Sequence, residues 1–179
     1  MGAMAFKLVS DDVPRGFLAR VRRELRPHLC ELYRQYLNRA WGMDIGEDCM
    51  ISLSSRLDRT YPRGIHIGES TAVNFGAVVL AHDYTRNMRV DTHIGSRCQI
   101  GAHSFIMPGV TIGDGCVVAP ASVVMRDVPP NTLVAGNPAR PMERDIQTGR
   151  WGMLVRATEA APAAEAGAAA SPAAGAEGA

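Results

Sequence analysis

The sequence predicts a mainly-β solenoid, a triangular coil of short parallel strands, and two columns of residues predict it. An aliphatic residue returns every six positions: Ile45, Ile51 and Leu57, then Ile67, Val73 and Val79, then Ile94, Ile100 and Ile106, then Ile112, Val118 and Val124. Helices repeat at about 3.6 residues and simple strands at 2, so strict sixes fit neither. Six residues per side and three sides per turn fit a stacked coil of about four turns. Four places after each rung lies a second column, mostly small: Cys49, Ser55, Thr71, Ala77, Cys98, Ser104, Cys116 and Ser122. In such a coil the aliphatics fill the centre, and the second inward position admits only small side chains. Tyr61 and Asp83 break this column where the gaps between triplets lengthen to 10 and 15 residues. The chain is expected to leave the coil at those two corners. Gly46, Gly68, Gly95, Gly101 and Gly113 follow rung residues, as suits corners with unusual backbone angles.

Residues 11–43 are expected to form an N-terminal helical cap over the first turn, which otherwise exposes an edge. Its apolar stripe is Leu18, Val21, Leu25, Leu29, Leu32 and Tyr36, spaced by threes and fours. Pro27 is expected to start a second helix or kink the first. Seven arginines, at 15, 20, 22, 23, 26, 34 and 39, make the segment basic. Two readings stay open for them: a solvated face, or peripheral contact with an anionic membrane surface or glycan carrier. Residues 44–142 form the coil, and 143–156 a closing segment around Trp151 and Leu154. Residues 157–179 are Ala, Gly, Pro, Ser and Glu with little to bury, and read as a disordered tail. Residues 1–10 read as disordered or as an expression remnant, and within them Met1-Gly-Ala-Met4 suggests a natural start at Met4.

Composition excludes several function classes. A net charge of +1 gives no global field toward nucleic acid. No apolar run approaches the ~20 residues of a membrane span, and no signal peptide is visible, so a cytoplasmic location is the default expectation. The cysteines are Cys30, Cys49, Cys98 and Cys116, without a CxxC pair. Three fall in the small inward column and are expected to be packed thiols, neither bridged nor metal-bound. No metal is expected.

The chemistry is expected where the sixes fail. After Val79 the polar run Ala81-His-Asp-Tyr-Thr-Arg-Asn-Met-Arg-Val-Asp91 intervenes before the next turn. Functional residues concentrate on such projecting loops. His82 stands at its root, and histidine is the side chain suited to take a proton from an alcohol near neutral pH. His82 is the first choice for general base. Asp83 or another carboxylate would orient it, and the sequence leaves open which. Asp83, Tyr84, Arg86 and Arg89 either grip an acceptor or solvate the loop. His66 and His93 precede rung residues and are expected to point outward. His103, three places after Ile100, also points outward, one turn beyond His82, and is a candidate for the same cleft. His28 belongs to the cap.

The stretch Ile106-Met-Pro-Gly-Val-Thr-Ile-Gly-Asp-Gly, followed by Ala121-Ser-Val-Val-Met-Arg-Asp-Val-Pro-Pro-Asn and Val134-Ala-Gly-Asn-Pro-Ala-Arg, resembles the end of the coil in the hexapeptide-repeat acyltransferases. The likeness is to the galactoside, maltose and polysaccharide O-acetyltransferase branch, and covers roughly Ile45 to Met142. It implies a left-handed parallel β-helix, acetyl-CoA as acyl donor, direct transfer to a hydroxyl, and a homotrimer with shared active sites. Ala81-His82 matches the small-residue–His context of that family's catalytic histidine. Asn74 matches an asparagine that holds the acceptor, although in the family a further turn separates it from the histidine loop. The alternative for Asn74 is a corner side chain bonded to backbone. For CoA the matching positions are Ala102, Pro120, Met125 and Arg126 along the coil, and Arg140 near the phosphates, where arginines suit the chemistry.

The acceptor is expected to be a sugar hydroxyl of a surface-polysaccharide precursor. The loop lacks the length of xenobiotic acetyltransferases, and the Asp-Arg-His-Pro motif of serine acetyltransferases is absent. Two alternatives remain. One is a coil without catalysis. The other is a zinc-dependent carbonic anhydrase on the same coil, which needs three converging imidazoles; its pair of histidines five apart is missing, since position 108 after His103 is proline.

Overall fold

The computed structural model describes residues 17–155, and the side chains of that span from residue 25 onward. One helix, α1 (Phe17–Trp41), precedes the coil. The first turn comprises β1 (Asp44–Ile45), β2 (Met50–Ile51) and β3 (Arg56–Leu57). The second comprises β4 (Ile65–Ile67), β5 (Ala72–Val73) and β6 (Val78–Val79), and a hairpin of β7 (His82–Asp83) and β8 (Met88–Arg89) follows. The third turn holds β9 (Thr92–Ile94), β10 (Gln99–Ile100) and β11 (Phe105–Ile106); the fourth holds β12 (Thr111–Ile112), β13 (Val117–Val118) and β14 (Val123–Val124). β15 (Thr132–Gly136) adds a fifth rung to one side, and β16 (Ala139–Arg144) folds back antiparallel on it.

Three parallel sheets result, each taking one strand from every turn: β1-β4-β9-β12, β2-β5-β10-β13-β15 and β3-β6-β11-β14. Rungs stack as the sixes require. Ile45, Ile67, Ile94 and Ile112 lie in register, as do Ile51, Val73, Ile100 and Val118, and Leu57, Val79, Ile106 and Val124. Nearly all are within a few percent of full burial. The small column is buried beside them. Cys49, Cys98 and Cys116 are free thiols directed at carbonyls of Gly68, Gly113 and Pro129, 3.0–3.1 Å away. Burial pushes the Cys49 thiol up to about 11.

The glycines after the rungs serve a different purpose from the one the sequence suggested. Gly46, Gly68, Gly95, Gly101 and Gly113 do not have positive φ; that conformation falls two residues later, at Asp48, Ser70, Arg97, His103 and Gly115. A Cβ on the five would stand 2.5–2.7 Å from backbone of the neighbouring turn. Close stacking at the strand spacing of about 4.8 Å, rather than backbone angle, excludes a side chain there.

The helix settles one alternative and corrects one expectation. Pro27 lies inside one helix and does not divide it into two. The stripe Leu25, Leu29, Leu32 and Tyr36 faces outward, each residue at least half exposed, while Leu18 and Val21 lie outside the described side chains. The face on the coil is one step round: Cys30, Tyr33, Leu37 and Trp41 meet the core. Polar residues decide this rotation. Arg34 and Asn38 both donate to the Ile45 carbonyl at 2.9 Å, and Asn38 accepts from Ile45 N–H at 3.1 Å. They satisfy the first strand's edge, which apolar side chains cannot do. Among the described residues no helix is long and apolar enough to cross a membrane.

The closing segment runs back along the corner between the first two sheets. Ile146 N–H bonds the Asn131 carbonyl, Thr148 the Arg97 carbonyl, and Trp151 N–H the Ser70 carbonyl. The Trp151 indole then bonds the Asp48 carbonyl at 2.8 Å, and Arg150 pairs with the Asp48 carboxylate. This segment therefore ties the last turn to the first. Gly152 makes the approach possible, with φ +66 and a Cβ position 2.4 Å from Gln99 N. Gly152→Ala is expected to cost about 1–3 kcal/mol, or roughly 2–12 °C in Tm for a chain of this size. Differential scanning calorimetry checks this, and an unchanged Tm would mean that the segment contributes no stability.

Candidate functional site

One corner of the prism carries the chemistry. Between the third sheet and the first, successive turns stack Asp58, Leu80, Met107 and Met125, and the insertion bearing His82 departs just after Leu80. The insertion after Val79 is a tight hairpin, with His82 opposite Arg89 and Asp83 opposite Met88. Ala81 is fully buried beneath it and anchors its return by accepting from Val90 N–H at 2.9 Å. The histidine thus begins at a rigid root.

His82 is oriented by Asp58. Its Nδ1 hydrogen-bonds Asp58 Oδ2, and among the described residues nothing bonds its Nε2. The Asp58 carboxylate also accepts backbone N–H groups from Ala81 (2.8 Å), His82 (2.9 Å), Thr60 (2.8 Å) and Tyr61 (3.2 Å). Its side chain is 1% exposed and that of His82 27%. Burial pushes the Asp58 carboxyl up, but the bonds from the His82 ring and the backbone amides outweigh it and hold the group below the usual carboxylate range. An ionised Asp58 requires the Nδ1–H tautomer of His82, which leaves Nε2 as a free proton acceptor.

Asp83 does not play this part. It accepts from Arg86 N–H at 3.1 Å and pairs with the Arg86 guanidinium at 3.4 Å, closing the hairpin on itself. Tyr84 is 93% exposed at the hairpin tip, and Arg89 is exposed opposite His82. Asn74 donates one amide N–H to the Ile100 carbonyl at 2.9 Å. It sits at a different corner, beside Phe75, whose ring meets His103 edge-on at 5.1 Å. His103 therefore does not share a cleft with His82 within one chain.

The cofactor candidates divide likewise. Arg126 and Arg140 line one cavity of about 250 Å³ with Val124, Val128, Val134 and Pro141. Met125, half exposed, adjoins Arg126 on the His82 corner two turns on. Ala102 and Pro120 stack at the His103 corner, where Ala121 N–H bonds the Ala102 carbonyl at 2.9 Å. Whole ligands of CoA size need roughly 300–1,000 Å³, so the cavity suits one end of such a molecule.

Residues 91–126 match the family model described as bacterial transferase hexapeptide (six repeats). Over that stretch the chain is similar to the hexapeptide-repeat transferases. Its third and fourth turns, the most regular part of the coil, carry that match. It is similar to YvoF of Bacillus subtilis (strain 168), provisionally named an acetyltransferase, with 37% identity over 111 residues. That alignment spans 61% of this chain and 62% of YvoF. A chloramphenicol acetyltransferase of Agrobacterium fabrum (strain C58 / ATCC 33970) is 44% identical over 54 residues, 30% of this chain and 26% of that protein. Among solved structures, the hexapeptide-repeat-containing acetyltransferase VCA0836 of Vibrio cholerae superposes with a TM-score of 0.50 and 27% identity, over 71% of this chain and 88% of that one.

Asp58 is the residue that the sequence reading missed. It directly follows rung Leu57, which stacks under Val79, so the register puts Asp58 at the corner from which the His82 insertion departs. A carboxylate at that step, one turn below a candidate base, was the available signal.

Proposed function

We propose that this protein is an acetyl-CoA-dependent O-acetyltransferase with His82 as general base. The observation that carries the reading is the His82–Asp58 pair: a partly exposed imidazole held in one tautomer by a buried carboxylate at the root of an insertion. Nε2 takes the proton of an acceptor hydroxyl as its oxygen attacks the thioester carbonyl. The tetrahedral oxyanion collapses with cleavage of the C–S bond, and the imidazolium returns the proton to the leaving thiolate, releasing CoA. Asp58 stabilises the imidazolium in between. No cysteine takes part; the inward column holds its thiols buried against backbone carbonyls.

The acceptor we assign is a sugar hydroxyl of a surface-glycan precursor. The hairpin is too short to enclose a large acceptor, and Tyr84 offers an open aromatic face at the tip of the hairpin that also carries the exposed Arg89. We further read the coil as left-handed and the assembly as a homotrimer. A threefold neighbour would bring the Ala102–Pro120 corner of one copy to the His82–Arg126 corner of the next, uniting the two halves of the donor site.

The test is calorimetric titration of the full chain with acetyl-CoA, beside the Arg126→Ala, Arg140→Ala double variant. Charge-assisted contacts to phosphate at an exposed site are expected to make the difference about 10-fold or more in Kd. Equal affinity would remove both arginines from the donor site, and no binding at all would leave a coil without this chemistry.

A further inference from the structure

A second cluster of chemistry-bearing side chains lies on the outer face of the first sheet. Asp44, His66 and His93 stand on β1, β4 and β9 in direct register, Asp44 beside His66 and His66 beside His93. The two imidazoles stack with centroids 4.5 Å apart and planes inclined by 13°. Asp91, between β8 and β9, reaches the same spot. His66 Nδ1 lies 3.2 Å from the Asp44 carboxylate, and its Nε2 lies 3.9 Å from the Asp91 carboxylate. The second distance is too long for a hydrogen bond, and among the described residues Nε2 is shut off from solvent without a partner. One ligating atom from each of His66, Asp91 and His93 lies within 4.8 Å of the others.

We propose that His66, Asp91 and His93 form a site for a divalent transition ion of the zinc type. The donor set is two imidazole nitrogens and one carboxylate oxygen, which suits zinc and its neighbours over calcium or magnesium. Asp44 on the far nitrogen of His66 supplies the supporting carboxylate that metal-bound histidines commonly have, and it turns the Nε2 lone pair toward the cluster. A tetrahedral ion with bonds of 2.0–2.2 Å separates its ligands by about 3.4 Å. Side-chain rotations that move each donor by about an ångström therefore close the set. Three protein ligands leave a fourth position for water or an outside group.

The sequence reading treated His66 and His93 as ordinary outward residues and expected no metal. The parallel register that stacks the two imidazoles side by side supplies what their positions in the sequence do not. Asp91 ends the hairpin that His82 begins, so the ion would tie that return strand to the second and third turns. This inference does not rest on acetyl transfer.

The experiment uses the full chain stripped with a chelating resin. Zinc is titrated in competition with a chromogenic chelator, and cobalt is added separately to read the visible spectrum of the ligated ion. The expected result is one zinc per chain, with affinity reduced about 10–100-fold by Asp44→Asn and further by His93→Ala or Asp91→Asn. The cobalt bands are expected to vanish in His93→Ala. His93 and Asp91 are exposed, so these variants leave the core intact, which circular dichroism checks. No zinc uptake, or uptake that the His93 and Asp91 variants leave unchanged, overturns the proposal.

Discussion

His82→Ala is expected to lower the turnover of acetyl-CoA with a productive acceptor by about 10²–10⁴-fold, the range a positioned base supplies. Without Nε2 the acceptor hydroxyl keeps its proton until late in the attack, and an alcohol is a poor nucleophile in that form. The fold is expected to hold, because Asp58 keeps four backbone N–H partners after the ring is gone. Donor affinity is expected to hold as well, since Arg126 and Arg140 line a cavity two turns away. The signature is thus a fall in kcat with KM for acetyl-CoA and Tm near wild type. Thiol release in single-turnover and steady-state assays measures it. A folded His82→Ala protein that turns over at the wild-type rate removes His82 from the chemistry.

The rungs were legible because they depend on a repeat that one residue slip would destroy. Ile45 to Val124 stack in the register that the sixes require, and the departures at Tyr61 and Asp83 fall where the column broke. The helix was less legible. Its apolar stripe and its docking face differ by about one residue, and the choice was made by Arg34 and Asn38 satisfying the Ile45 carbonyl. Periodicity registers apolar spacing and carries nothing about which backbone groups need partners. The base was legible from its place in the insertion, its partner was not. Asp58 and His82 are 24 residues apart, and only the stacking of Leu57 under Val79 brings them together. Likewise one amide N–H of Asn74, which matched a family position, is bonded to the Ile100 carbonyl, which no spacing reveals.

Asp58→Asn is expected to injure both stability and turnover, with different dependences on pH. The residue is 4% exposed, and carboxylates at such depth survive only when paired. An asparagine there presents one oxygen and an NH₂ group to five donors, leaving buried N–H groups without partners at about 1–3 kcal/mol, or roughly 2–12 °C in Tm. The folded carboxyl titrates below its ordinary value, so the unfolded chain binds the proton more tightly. The stabilisation from ionised Asp58 is therefore fully present above about pH 4, the ordinary carboxylate value, and is lost as pH falls through the lower folded value. The Tm gap between wild type and variant is expected to narrow below about pH 4. Glu31 and Asp48, held low by Arg34 and Arg150, also contribute to acid sensitivity, but they are common to both proteins and cancel in the difference. Turnover separates the two roles. Asparagine favours the tautomer with hydrogen on Nε2, so kcat is expected to fall on the order of 10²–10⁴-fold at all pH values from 6 to 8, at temperatures where the variant is folded. A variant destabilised by this amount with undiminished kcat would make Asp58 a purely structural acid and return the orientation of His82 to some other group.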